Sequence, residues 1–142
     1  MILDALLLVS DAQAFGAAAV STNSIDCQLT TPGRQVGSGE AVGFGVAIDV
    51  APTVAPPVID FISATDAALT AGVLVHATMT KPIADLPAGT LLFLELPPGT
   101  PTQRYIGARI TTAGGTITAT AWLTARDLFS IAQRNYPKGY AI

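Results

Sequence analysis

Residues 41–50 read Ala41-Val42-Gly43-Phe44-Gly45-Val46-Ala47-Ile48-Asp49-Val50. Every even position is large and apolar, and every odd one is Gly, Ala or Asp. Successive side chains of a strand point to opposite faces, so this is the pattern of a strand with one buried face. A helix would need its apolar residues three and four apart. The same alternation puts Ile25, Cys27 and Leu29 opposite Ser24, Asp26 and Gln28. Further strand-like runs occupy residues 58–63, 72–80, 90–96, 103–112 and 116–124. Residues 1–9 are an eighth candidate without a clear period, where a short helix is the alternative. Turn formers separate the runs: Thr31-Pro32-Gly33, Gly37-Ser38-Gly39, residues 52–57, Pro87-Ala88-Gly89, Pro97 through Pro101, and Gly114-Gly115. Short strands divided by such signals predict an all-β sandwich or barrel of about eight antiparallel strands.

The composition narrows the class further. Half of the 142 residues are hydrophobic and only 12% are charged, which is the reverse of a disordered chain. Too few charged residues remain for a coiled coil. Mean hydropathy is +0.51, so membrane insertion has to be considered. A spanning helix takes about 20 consecutive apolar residues, and Asp4, Asp11, Asp49 and the prolines at 52, 56 and 57 interrupt every candidate run. A secretory signal would start with a basic residue. The first base here is Arg34, so Met1 is expected to begin the working protein, with no membrane partner. A net charge of −3 argues against nucleic acid.

Gly114-Gly115 suits a two-residue hairpin turn, in which both positions need positive φ. That turn would pair Ile106 with Leu123, Ala108 with Ala121 and Ile110 with Ala119, all apolar and on one face. The other face would then hold Trp122 opposite Gly107, with Arg109 and Tyr105 as diagonal neighbours. Trp, Tyr and Arg together have the composition of an interface anchor. The alternative is that Trp122 covers the bare backbone of Gly107 or packs under a loop.

Charge is sorted along the chain. Residues 1–95 hold nine acids and two bases, whereas residues 96–142 hold five bases and one acid, Asp127. The basic end also holds Trp122, Phe129, Tyr136 and Tyr140. A candidate protein-binding surface therefore comprises Tyr105, Arg109, Trp122, Arg126, Phe129, Arg134, Tyr136, Lys138 and Tyr140. The expected organisation is a sandwich over 1–125 and an irregular or partly helical arm over 126–142. Residues 127–133 are capable of one or two helical turns, and the arm packs on its own sandwich or on a neighbouring subunit.

Catalytic constellations are missing from the sequence. One His and one Cys supply neither a nucleophilic triad nor a zinc set, so no enzyme, cofactor or metal is expected. His76 reads as a satisfied or surface histidine. Cys27 reads as a small hydrophobe.

Four segments carry a resemblance. The opening residues 1–14, Met-Ile-Leu-Asp-Ala-Leu-Leu-Leu-Val-Ser-Asp-Ala-Gln-Ala, are the first. The others are Ser21-Thr22-Asn23-Ser24-Ile25-Asp26, then Ser63-Ala64-Thr65-Asp66-Ala67-Ala68-Leu69, and Leu96-Pro97-Pro98-Gly99-Thr100 leading into Arg104-Tyr105-Ile106. Their order and spacing resemble the capsid cement (decoration) proteins of tailed bacteriophages, including that of the Bordetella phages, over residues 1 to about 125. The resemblance implies a jelly-roll fold and a homo-oligomer, dimer or trimer, on the outer surface of an icosahedral head. There it would bridge major capsid proteins, having been made in the bacterial cytoplasm. It implies no active site. The end after Arg126 departs from the family pattern. Another phage structural sandwich, from tail or baseplate, and a carbohydrate-binding module using Trp122 and Tyr105 are the alternative readings.

Overall fold

The computed structural model describes residues 6–17, 19–27 and 41–129. They contain nine strands: β1 Leu8–Phe15, β2 Ala19–Val20, β3 Ile25–Asp26, β4 Val42–Val50, β5 Val58–Ala64, β6 Leu74–Thr80, β7 Leu91–Glu95, β8 Tyr105–Thr111 and β9 Ile117–Ala125. One short 3-10 helix, Ile83–Asp85, links β6 to β7. Sheet A has the order β1-β9-β4-β7 and sheet B the order β2-β8-β5-β6, all antiparallel, with β3 lying beside β8 beyond β2. Counted as one interrupted strand, β2 and β3 give eight strands, four per sheet, in the order of a jelly roll. β5 and β6 form the one hairpin, and every other link between these eight strands passes from one sheet to the other.

The core lies between the sheets. β4 and β9 contribute Phe44, Val46, Ile48, Ile117, Ala119 and Ala121, and β5 and β8 contribute Ile59, Phe61, Ile106, Ala108 and Ile110. Phe44 and Phe61 tie the sheets together with ring centroids 4.4 Å apart. Each such fully buried aromatic or branched side chain contributes about 1.5–3 kcal/mol from burial. The alternation of residues 42–48 therefore reads correctly. It stops at Ile48: a register shift follows, and Val50 is 58% exposed instead of facing the core.

The predicted hairpin across Gly114-Gly115 does not form. β8 belongs to sheet B and β9 to sheet A, so the turn carries the chain across one end of the sandwich from one sheet to the other. Gly115 alone of the pair has positive φ, +72°, and both glycines lie against Val54. Ile106, Ala108 and Ile110 still face the same core as Ala119 and Ala121, across the sandwich rather than across a ladder.

Of the expected first element, residues 1–5 lie outside the described residues; β1 runs over Leu8–Phe15, and its ladder is irregular. Ala12 has φ +43°, and the register against β9 shifts on both sides of Ser10. Side chains replace the missing backbone bonds. The buried Ser10 hydroxyl accepts the Ala121 N–H at 2.9 Å and donates to the Ala119 carbonyl at 3.3 Å. Thr120 Oγ1 accepts the Ala12 N–H at 2.9 Å.

Candidate interaction surfaces

The outer face of sheet A is closed by its own aromatics. Gly45 on β4 lies opposite Trp122 on β9, and a Cβ at Gly45 would sit 2.6 Å from the indole ring. The absent side chain is what lets the indole lie flat on the strand. Trp122 is 4% exposed. Phe129 is buried beside it, 6.5 Å from its ring and 5.1 Å from Phe93, while Leu8, Leu91 and Ala47 complete the cluster. Arg126–Phe129 are helical, which places Phe129 on this face. Arg126 pairs with Glu95 and lies over the Phe93 ring.

Sheet B is covered differently. Arg109 and Asp60 are register partners on β8 and β5, as are Asp60 and Thr78 on β5 and β6. Arg109 donates through Nε and Nη2 to Asp60 Oδ2 at 3.0 and 2.7 Å, and Thr78 donates to Oδ1 at 2.9 Å. Beyond this row, the loop between β5 and β6 folds back over the sheet. Leu69, at φ +58°, presses onto Gly107, where a Cβ would be 2.3 Å from its Cδ1. Asp66 holds that loop by accepting the Thr70 and Ala71 N–H groups and the Thr70 hydroxyl. These bonds, the Ala71 amide first, hold its carboxyl below the ordinary value. Tyr105 packs with Ile62, Ala64 and Leu69 and lies under the Arg104 guanidinium.

The expected patch of Tyr105, Arg109 and Trp122 is thus divided between opposite faces of the sandwich. The cause is the sheet change at Gly114-Gly115. Trp122 does cover a glycine, but it is Gly45 and not Gly107. With the indole buried and Tyr105 on the other sheet, these two residues make no sugar-stacking platform. Each described arginine carries an acidic partner: Arg104 on Asp26, Arg109 on Asp60, Arg126 on Glu95. The sequence clustering of bases after residue 96 therefore does not become a basic surface among the described residues. Arg134, Tyr136, Lys138 and Tyr140 lie outside the described residues. Among the described residues, the large apolar side chains that are exposed are Leu6, Val50, Val54, Leu74, Val75 and Leu128.

Among the described residues, no group of three or more His, Cys, Asp or Glu is placed to hold a metal ion, and no helix is long and apolar enough to cross a membrane. Cys27 packs against the core, half-buried. Burial, with Asp26 beside it, pushes its thiol up to about 11. The thiolate is the reactive form. Cys27 should therefore react slowly with a maleimide at pH 7.5 and rapidly once the chain is unfolded, and equal rates in both states would contradict this placement. A Ser–His contact that the sequence did not suggest joins Ser63 Oγ to His76 Nε2 at 2.6 Å. Ser63 is fully buried.

The four segments singled out in the sequence meet at one end of the sandwich. Asn23 N–H donates to Val9 O at 2.9 Å, and Ser24 Oγ donates to Ala67 O at 2.8 Å. Arg104 holds Asp26 with two bonds, at 2.9 and 2.8 Å, and Gln103 N–H donates to Ser63 Oγ at 2.9 Å. Residues 9–125 match the family named Bbp16, a name that points to a protein of a Bordetella phage. No curated protein matches the chain.

Proposed function

We propose that this chain, which belongs to the Bbp16 family, is a structural virion protein that binds the outer surface of a phage head and cements neighbouring major capsid proteins. The observation that carries the reading is family membership through the whole jelly roll, together with the junction of the four resembling segments. Such a role calls for a rigid body without chemistry. A sandwich whose outer faces are filled by Trp122, Phe129 and Leu69 supplies rigidity. Exposed apolar side chains at the loops and edges, Val50, Val54 and Leu74 among them, supply contact surface with little charge to desolvate.

The mechanism is thermodynamic. Contacts that span two capsid subunits exist only in the assembled shell, so binding stabilises the shell by mass action. Several modest contacts per copy, and many copies, add up through effective concentration. The partners are the major capsid protein and further copies of this chain. The working location is the outside of the virion, after synthesis in the bacterial cytoplasm. The purified protein, mixed with expanded heads lacking it, should saturate at a fixed copy number on symmetry-related sites and raise the temperature at which the heads open. Binding without fixed stoichiometry, or labelling confined to the tail of intact particles, would overturn the proposal.

A further inference from the structure

Among the described residues, β6 is an edge strand of sheet B, held along one side by β5. Phe61 pairs with Ala77 and Ile62 with Val75, so one residue of β6, His76, has no partner in the ladder. At this bulge the imidazole approaches Ser63 on β5, with Nε2 2.6 Å from Oγ. The ring also meets Phe61 edge-on, with centroids 6.2 Å apart and planes at 77°. Ser63 Oγ also accepts the Gln103 N–H, and to a neutral imidazole with Nε2 unprotonated the hydroxyl donates its own proton. One hydrogen-bond chain thereby links β6, β5 and the segment entering β8. Phe61 in turn stacks on Phe44 in the core.

We propose that His76 is an acid-sensitive latch on this edge: protonation at Nε2 reverses its bond with Ser63, turns the buried hydroxyl proton away from the ring and loosens β6 from β5. An imidazolium donates at both ring nitrogens, and Ser63, the described residue against Nε2, carries no charge to compensate the new one. On the elements packed against β6 the charged groups are engaged elsewhere: Asp60 of β5 with Arg109 and Thr78, Glu95 of β7 with Arg126, and Arg104 ahead of β8 with Asp26. Lys81, directly after β6, adds a like charge, and Asp85 lies beyond it in the 3-10 helix. Burial alone holds the imidazole below the ordinary histidine value of 6.5. The open or unfolded chain therefore binds the proton more readily than the folded one. The latch is intact above pH 6.5 and is lost as pH falls below it through the folded value.

Amide hydrogen exchange of residues 74–80, corrected for the intrinsic pH dependence of exchange, tests this at pH 7.5 and 5.5. A several-fold acceleration at pH 5.5, confined to β6 and its β5 partners and abolished in His76→Gln, is expected. An acceleration that is absent, that spreads evenly over both sheets, or that persists unchanged in His76→Gln would overturn the proposal. The wild-type imidazole, followed by NMR, gives a readout independent of that variant's folding: it should titrate below 6.5, and titration at or above 6.5 would equally overturn it.

Discussion

Trp122→Ala lowers the stability of the isolated chain by about 3–5 kcal/mol, the range for deleting a buried aromatic. For a domain of this size that is roughly 10–20 °C in melting temperature. Three losses combine. The indole's burial is forfeited. The Gly45 backbone, which carries no side chain of its own, is left bare. Phe129 loses one of its two ring neighbours, so the helical turn that starts at Arg126 should come away from sheet A and become a site of early proteolysis. Trp122→Phe should recover part of the loss. Thermal melts of dilute protein make the decision. A variant that melts with the wild type, and fails only in assembly, would show that the indole serves a partner and not its own fold.

Arg109→Ala should cost about 3 kcal/mol, the lower end of the range for breaking a buried ion pair. The Asp60 side chain is 6% exposed and that of Arg109 30%, so solvent screens only part of the interaction. Without Arg109 the carboxylate keeps one bond, from Thr78, in a site that solvent barely reaches. Most of the cost is the stranded charge and not the worth of the pair. Asp60→Leu combined with Arg109→Met should therefore be more stable than Arg109→Ala alone, because neither charge is then left buried. Urea unfolding of the three proteins decides this. Should the double variant prove less stable than Arg109→Ala, the pair itself contributes more than its desolvation costs.

β4 shows how much of this fold is legible in the sequence, and β8 and β9 show where legibility ends. In β4 the alternation of Phe44, Val46 and Ile48 with Gly43, Gly45 and Ala47 identifies the inner face directly. In β8 and β9 it identifies the inner faces too, but an inner face is the same pattern whether two strands pair in one sheet or oppose each other across a core. A hairpin across Gly114-Gly115 fits that pattern equally well and would set Trp122 beside Arg109 and Tyr105, which the sheet change separates. A better signal was present. Gly45 and Gly107 lie at outward positions, and each marks a spot where a large side chain, Trp122 or Leu69, rests on bare backbone. The position of β2 was hidden because two residues show no period. The Ser63–His76 bond was hidden because a bulge, which has no sequence signature here, turns the histidine toward β5.

The placement of β1 beside β9 has a kinetic consequence. Leu8 meets Trp122 and Phe15 meets Ile117, so sheet A joins the two ends of the described chain. Loops of this length must close before their contacts stabilise anything, and topologies of this kind fold slowly. During synthesis the β5–β6 hairpin can form as soon as residue 80 has emerged. In sheet A β4 can pair with β7 once residue 95 is out, but β1 and the other side of β4 have to wait for β9 and residue 125. The nascent chain is thus most prone to association while β4 is out and β9 is not.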